Sequence, residues 1–280
     1  MKKEQTPAPG RRADRPGRRR LDLLVTERGL CSSRQEAVRL ILAGKVRVGG
    51  AAAGKPGTLV PVDAAVEVAG QAHPYVSRGG VKLQHALAAF GVAPRGRVCL
   101  DVGASTGGFT DCLLQAGARR VIAVDVGYGQ LADRLRQDPR VHVMERTNIR
   151  HLEPSGVPTS PDLATIDVSF ISLRLVLPVV RRLLEPPADV VALVKPQFEV
   201  GRGAVGKGGV VRDPALHRSV LEGLAATAAD LGLFVWGLTA SPLLGPMGNR
   251  EFWLHLRPEA RAADLPALID QVVGPAAVAG

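Results

Sequence analysis

The pattern of apolar and polar positions changes twice along the chain. Residues 1–20 contain almost no large apolar residues, whereas apolar positions from Leu21 to about residue 70 first recur at helical spacing and then alternate. This second pattern predicts two helices followed by short strands. From residue 80 onward, short β-branched runs alternate with amphipathic stretches. Such alternation predicts an α/β fold, with a seven-stranded, mostly parallel sheet covered by helices.

These changes predict five segments: a disordered basic tail, a small α+β domain, a linker, an α/β domain and a C-terminal extension, at residues 1–20, 21–70, 71–79, 80–258 and 259–280. The tail has eight Lys or Arg residues and two acids, so it carries +6 of the net charge of +10. It is either a solubilising segment or an electrostatic arm for RNA or DNA phosphates.

The small domain carries a recognisable set of motifs. Ser32 or Ser33 is expected to cap its second helix, and Gly44 to end that helix before a strand. The stretches Arg-Leu-Asp, Ser-Arg-x-x-Ala and Ile-x-x-Gly-x-Val-x-Val resemble the RNA-binding domain named for ribosomal small-subunit protein four. Its usual Asn-Gly turn is Gly49-Gly50 here. The alternative is a helical hairpin whose arginines form a solvated face.

A glycine-rich turn lies between the first strand and the following helix of the larger domain, in LDVGASTGGFTDCLL. Glycines at such a turn let the backbone approach a ligand, and a helix N-terminus follows. The spacing Asp-x-Gly-x-x-x-Gly-Gly differs from the dinucleotide fingerprint. Asp101 precedes the turn, where a carboxylate favours a cationic amine, and Asp125 ends the next strand, where it suits ribose hydroxyls.

S-adenosylmethionine has all the features that these residues suit: a ribose, a cationic sulfonium and an amino acid tail. Asn148, after the third strand, either faces the adenine or is a plain loop residue. The predicted cofactor-binding residues are Asp101, Gly103, Ala104, Ser105, Thr106, Gly107, Gly108, Asp125, Val126 and Asn148.

A lysine follows a buried strand in ALVKPQFEVG, residues 192–201. Pro196 cannot donate a ladder hydrogen bond, so the strand is expected to end at its preceding residue, Lys195. The chain lacks the Asn/Asp-Pro-Pro-Tyr-like stretch of amino-group methylation and the strand-end cysteine of base C5 chemistry. A hydroxyl must lose its proton during methylation. A lysine assists if burial and a neighbouring cation lower its pKa toward ~7–8.

Three further charged residues are expected at the same edge of the sheet: Lys82 before the first strand, Asp167 after the fourth and Glu251 before the last. This Lys-Asp-Lys-Glu set resembles that of the FtsJ-type 2′-O-ribose methyltransferases. Together with DVGASTGGFTD, LVKPQFEVG and SPLLGPMGNREF, it makes residues 21 to about 257 similar to the TlyA family. Members of that family are rRNA cytidine 2′-O-methyltransferases, often labelled haemolysins.

The resemblance implies a role for each charged residue. Lys195 would be the base or would orient the hydroxyl, Asp167 and Lys82 would tune it and align the ribose, and Glu251 would hold the network. An ion pair on the surface is the alternative for Lys82 and Glu251, and Glu199 is expected to be structural or to face RNA. Ribosomal RNA or a ribosomal subunit is the expected partner, with RNA-binding residues Arg34, Arg39, Lys45, Arg47 and Arg78.

Composition narrows the remaining classes. No apolar run approaches the ~18 residues of a membrane span, and we see no secretory signal. The three cysteines have no metal-like spacing, fit a reducing cytoplasm and are expected in cores. No metal and no obligate protein partner is evident. Two alternatives stay open: a membrane-active haemolysin, and an RNA-binding protein whose methyltransferase domain has lost activity, although such decay should erase the strand-end charges first.

Overall fold

A computed structural model describes residues 17–28, 30–31, 34–69, 73–201, 203–260 and 264–274. The first 16 residues of the predicted tail, both predicted helix caps (Ser32 and Ser33) and part of the predicted linker lie outside the described residues.

The small domain packs two helices against short strands. Its elements are β1 (Arg18–Arg20), α1 (Leu21–Glu27), α2 (Arg34–Leu42), β2 (Val46–Val48), β3 (Ala51–Ala52), β4 (Leu59–Pro61) and β5 (Val66–Val68). Leu21, Ile41 and Val46 are buried in one apolar cluster that joins both helices to the strands. The two predicted helices are therefore confirmed. Strand β4 pairs with β1, and β5 pairs with β2.

The predicted tail does not extend to residue 20. Strand β1 pairs antiparallel with β4, and Arg20 and Arg34 both donate to the buried carboxylate of Asp22. The hydrogen bond from Arg20 outweighs the effect of burial and lowers the pKa of Asp22 to about 2. The backbone hydrogen bonds between β1 and β4 and the ion pair between Arg20 and Asp22 hold residues 18–20 in place, although these residues bury no apolar side chain.

The larger domain is built on seven strands: β6 (Val98–Val102), β7 (Arg120–Val124), β8 (Val141–Met144), β9 (Leu163–Ile166), β10 (Asp189–Val194), β11 (Phe234–Ala240) and β12 (Phe252–Arg257). Their order is β11-β12-β10-β9-β6-β7-β8, and β12 alone runs opposite to its neighbours. The predicted fold class is therefore confirmed. The strand order reverses between β6 and β9, which is where ligands bind in such sheets.

Helices cover both faces of this sheet: α3 (Arg78–Phe90), α4 (Gly108–Gln115), α5 (Asp133–Arg136), α6 (Leu173–Leu183), α7 (Pro196–Glu199), α8 (Pro214–Asp230) and α9 (Leu265–Val273). Strand β10 shows why its sequence is continuously apolar. Val190, Ala192 and Val194 enter the core on one face, whereas Val191 and Leu193 enter the core on the other. A strand buried on both faces needs no polar alternation.

Helix α9 lies in the predicted C-terminal extension and packs against the larger domain. It buries Ile269 and Val273 in the same core as α6 and α8. The apolar face of α9 is therefore covered by the larger domain. All three cysteines, Cys31, Cys99 and Cys112, are buried, as their expected placement in cores requires.

Candidate active site

Two adjoining cavities open at the carboxyl edge of the sheet. We call the first, of about 220 Å³, the catalytic cavity, because all four predicted catalytic residues line it. The second, of about 450 Å³, is lined by five of the ten predicted cofactor-binding residues, Asp125 and Asn148 among them, and we call it the cofactor cavity. Gly103, Ser105, Asp167 and Ser169 line both, so a single ligand can extend from one cavity into the other.

The four predicted catalytic residues form two ion pairs. Lys195 Nζ lies 2.5 Å from Asp167 Oδ1, and Lys82 Nζ lies 2.6 Å from Glu251 Oε2. The side chains of Lys82 and Glu251 are 12% and 0% exposed, so the alternative of a surface ion pair is wrong. The structure brings together residues that three strand ends and α3 contribute.

Glu251 is the most buried member of this set. Burial raises the pKa of its carboxyl group, and the nearby Lys82 ammonium opposes that rise. Its Oε1 has no hydrogen-bond partner among the described residues. Gly245 covers this oxygen so closely that a Cβ at position 245 would lie 2.0 Å from it. Glu251 therefore depends on Lys82 for compensation of its charge.

Lys195 contacts a carboxylate and a hydroxyl. Besides Asp167, its Nζ donates to Ser169 Oγ at 3.0 Å. The sequence suggested that a second cation would lie beside the Lys195 amine. Lys82, the other lysine of the set, is paired with Glu251 instead. Ser169 was missed by sequence reasoning. The one available signal was a polar residue two positions after Asp167, at the carboxyl end of β9.

The cofactor cavity has a carboxylate where the sequence predicted one. Asp125 accepts hydrogen bonds from the backbone N–H of Ser105 at 2.8 Å and of Gly127 at 2.7 Å. A carboxylate has about four acceptor sites, so capacity remains for ribose hydroxyls. Val126 is 69% exposed beside it, and Asn148 lines the same cavity. This lining fits a nucleoside with its ribose at Asp125.

Asp101 lies beneath the glycine-rich turn and lines neither cavity. It is fully buried and accepts a hydrogen bond of 2.6 Å from Thr110 Oγ1, on the first turn of α4. Burial raises the pKa of Asp101 to about 7. The expected direct contact with a ligand amine is thus not what the structure shows. Asp101 instead supports the start of α4 from below.

We expect Asp101 to make stability depend on pH. Because its folded-state pKa is raised, its contribution is fully present below about pH 4 and is lost as the pH rises through about 7. The full change is at most about 4 kcal/mol. Urea denaturation from pH 5 to pH 8 should show Asp101→Asn with a flatter stability profile than the wild type or the exposed control Asp133→Asn. Parallel profiles for all three proteins would contradict the assignment.

The glycines of the turn serve packing within the protein. Gly103 has φ +86°, and a Cβ there would lie 2.4 Å from the carbonyl oxygen of Asp167. At Gly107, with φ +94°, a Cβ would meet Leu135 at 2.3 Å, and at Gly108 it would meet Ser77 Oγ at 2.2 Å. These glycines therefore let neighbouring elements approach the turn. Close approach of a ligand to the same backbone stays a prediction. Ala104 and Thr106 of the turn line the catalytic cavity.

The predicted RNA-binding residues do not form one group. Arg39, Lys45 and Arg47 are exposed on the small domain. Arg34 is also 57% exposed but is tied to Asp22 at 2.8 Å. Arg78 is separate from all of these, because it lines the catalytic cavity at the start of α3.

Glu199 and Phe170 lie near the site. The first supports a helix, and the second occupies a position that the sequence did not predict. Glu199 is half-buried and accepts hydrogen bonds from Ser172 Oγ at 2.6 Å and from Leu173 N at 2.8 Å. It therefore holds the start of α6, which supports its structural interpretation. Phe170 lines the cofactor cavity, is 93% exposed and has φ +64°. Sequence reasoning gave no indication of this exposed aromatic ring.

The comparisons with known proteins agree with the site. Residues 75–258 match the FtsJ-like methyltransferase family, and residues 19–66 match the S4 domain. The 16S/23S rRNA (cytidine-2′-O)-methyltransferase TlyA of Mycobacterium tuberculosis is 51% identical over 91% of this chain and 96% of its own length. The YqxC protein of Bacillus subtilis, provisionally designated an rRNA methyltransferase, is 53% identical over 85% of each chain.

A solved structure shows the same architecture. A protein of Streptococcus thermophilus, provisionally designated a hemolysin, superposes with a TM-score of 0.80 at 45% identity, over 92% of this chain and 94% of its own. Within the described residues, however, no helix combines the length and the apolarity that crossing a membrane requires. The sheet, the paired cavities and these matches lead to one conclusion: the chain belongs to the FtsJ-like methyltransferase family, with an S4 domain preceding the methyltransferase domain.

Proposed function

We propose that this protein transfers the methyl group of S-adenosylmethionine to the 2′-hydroxyl of cytidine in ribosomal RNA. The observation that carries this proposal is the convergence of two ion pairs, Lys195–Asp167 and Lys82–Glu251, in a cavity that adjoins the cofactor cavity. The rRNA cytidine specificity of the M. tuberculosis relative supports the choice of substrate. A decayed enzyme is a poor alternative, because all four charges are present and converge.

The cofactor supplies an electrophilic methyl group when it is bound. Asp125 would hold its ribose, and the turn from Gly103 to Gly108 would lie along its amino acid tail. Gly103, Asp167 and Ser169 line both cavities, so the reacting centre would lie beside them. The lining thus offers separate places for the nucleoside and for the tail.

Lys195 is the group best placed to act on the ribose hydroxyl. Its Nζ donates a hydrogen bond to Ser169 Oγ and lies 2.5 Å from Asp167 Oδ1. The 2′-hydroxyl could approach the free side of this nitrogen. As an ammonium, Lys195 would orient the hydroxyl through an N–H, and as a neutral amine it would accept the hydroxyl proton. Asp167 and Ser169 would fix the Lys195 amine, and the Lys82–Glu251 pair would close the cavity on its other side.

The small domain would supply RNA affinity. Arg39, Lys45 and Arg47 are exposed cations, and phosphate neutralisation by such residues dominates nucleic acid affinity. They would hold the RNA without taking part in the chemistry. This division fits an S4 domain attached to a methyltransferase domain.

The test is methylation of ribosomal subunits and of purified rRNA with tritiated S-adenosylmethionine. We expect label in 2′-O-methylcytidine, located as a site that resists alkaline hydrolysis. Lys195→Met should abolish incorporation, whereas the exposed control Lys55→Met should retain it. Label on a base, label in another nucleoside, or no difference between the two variants would overturn the proposal.

A further inference from the structure

Arg78 occupies an unexpected place for a residue predicted to bind RNA. It is the first residue of α3, one helical turn before Lys82, and it lines the catalytic cavity together with the glycine-rich turn. The first turn of α3 is pressed against that glycine-rich turn. A Cβ on Gly108 would lie 3.0 Å from Gly80 N and 3.2 Å from Gly79 Cα. This close packing of the two backbone segments places Arg78 beside the end of the glycine-rich turn.

The charges that line this cavity are mostly compensated. Lys82 and Lys195 are held in the two ion pairs. The guanidinium of Arg28 donates to the carbonyl oxygens of Val62 and Ala64. Among the described residues lining the cavity, Arg78 is the one cationic side chain for which the structure gives neither a hydrogen bond nor an ion pair. The cavity therefore has an uncompensated positive charge where an anion can enter.

We propose that Arg78 binds the carboxylate of the amino acid tail of S-adenosylmethionine, an inference that rests on the proposed function. With the ribose at Asp125, the tail passes Gly103 and Ser105, which line both cavities, and continues along the turn into the catalytic cavity. Arg78 lies at the end of that path. A guanidinium matches a carboxylate with two parallel hydrogen bonds.

Ser77 strengthens this assignment. Its side chain lines the same cavity and is buried, and its Oγ lies against Gly108 at the start of α4. The hydroxyl is thus a second donor near the same anion. The exposed cations of the small domain, by contrast, lie on elements that do not line the cavity, so they suit RNA phosphates better than Arg78 does.

A pair of ligands isolates the proposed contact. S-adenosylhomocysteine carries the amino acid tail, whereas 5′-methylthioadenosine keeps the nucleoside and thioether but lacks the tail. Calorimetry in the absence of RNA should show that Arg78→Ala weakens S-adenosylhomocysteine binding by about 10- to 100-fold, the usual loss for a charge-assisted hydrogen bond. Binding of 5′-methylthioadenosine should change by less than about twofold. Arg78→Lys should restore part of the loss, and the exposed control Lys55→Ala should affect neither ligand.

Each other outcome is decisive. Unchanged S-adenosylhomocysteine affinity in Arg78→Ala, with weaker RNA binding, would assign Arg78 to an RNA phosphate and overturn the inference. An equal loss for both ligands would show that Arg78 supports the cavity without contacting the tail, and would overturn it as well. Failure of the wild-type protein to bind either ligand would instead refute the cofactor in the proposed function.

Discussion

Lys195→Ala is expected to lower the single-turnover rate of methyl transfer by about 10²–10⁴-fold, the usual contribution of a general base. Its amine lines the catalytic cavity and lies 2.5 Å from Asp167 and 3.0 Å from Ser169, which line both cavities. Removing it leaves the 2′-hydroxyl without the group that orients or deprotonates it. Affinity for S-adenosylhomocysteine should change little, because the nucleoside is proposed to bind at Asp125. Rapid-quench kinetics on rRNA and calorimetry measure the two effects separately.

Lys195→Arg distinguishes the two possible roles of this residue. A guanidinium stays protonated and cannot accept the hydroxyl proton, although it can still donate hydrogen bonds. If Lys195 acts as the base, the arginine variant should be nearly as slow as the alanine variant. Near wild-type turnover of Lys195→Arg would instead show that position 195 needs only a positive charge. Ser169→Ala should give a smaller loss than either, since it removes one support of the amine.

Lys82→Met is expected to destabilise the protein by about 3–5 kcal/mol at pH 8, the usual cost of leaving one charge of a buried pair without its partner. Glu251 is 0% exposed, and its Oε1 has no other hydrogen-bond partner among the described residues. Burial already raises the pKa of Glu251, so the protonated carboxyl group stabilises the folded protein at low pH. This stabilisation is lost as the pH rises through the folded-state pKa of Glu251. Without Lys82 this loss becomes larger. Urea denaturation at pH 5 and at pH 8 measures it.

The double variant Lys82→Met/Glu251→Gln provides the control for this effect. It removes the buried charge as well as its partner, so we expect it to recover part of the stability at pH 8 and to lose no more stability between the two pH values than the wild type does. The exposed control Lys55→Met should behave like the wild type. A Lys82→Met protein that loses no more stability between pH 5 and pH 8 than the wild type would show that Glu251 is not charged in the folded protein at pH 8.

Local sequence was sufficient for the positions of the strand ends. The apolar run Val190–Val194 followed by Pro196 placed Lys195 at the carboxyl end of β10, where the structure has it. Asp125 and Asp167 were located in the same way, as the first polar residues after apolar strands. Parallel strands bring their carboxyl ends to one edge, so the edge that carries the site followed from the alternation of strands and helices.

Contacts between distant segments did not follow from local patterns. Lys82 and Glu251 are 169 residues apart, and their ion pair depends on how α3 and the loop before β12 pack over the sheet. The same limitation explains why Arg78 was grouped with the arginines of the small domain. The sequence shows that residue 78 is an arginine, but it does not show that this arginine lines the catalytic cavity.

The sequence alone thus determined the fold class, the edge of the sheet that carries the chemistry and the residue types gathered there, because strand periodicity and chain breaks are local properties. Only the tertiary structure decided that Asp101 lies beneath the turn, that the turn's glycines accommodate neighbouring protein, and that Lys195 is held by Asp167 and Ser169. Such contacts depend on the packing of side chains from separate elements, which fixes distances to a fraction of an ångström and is not encoded in the spacing of residues along one segment.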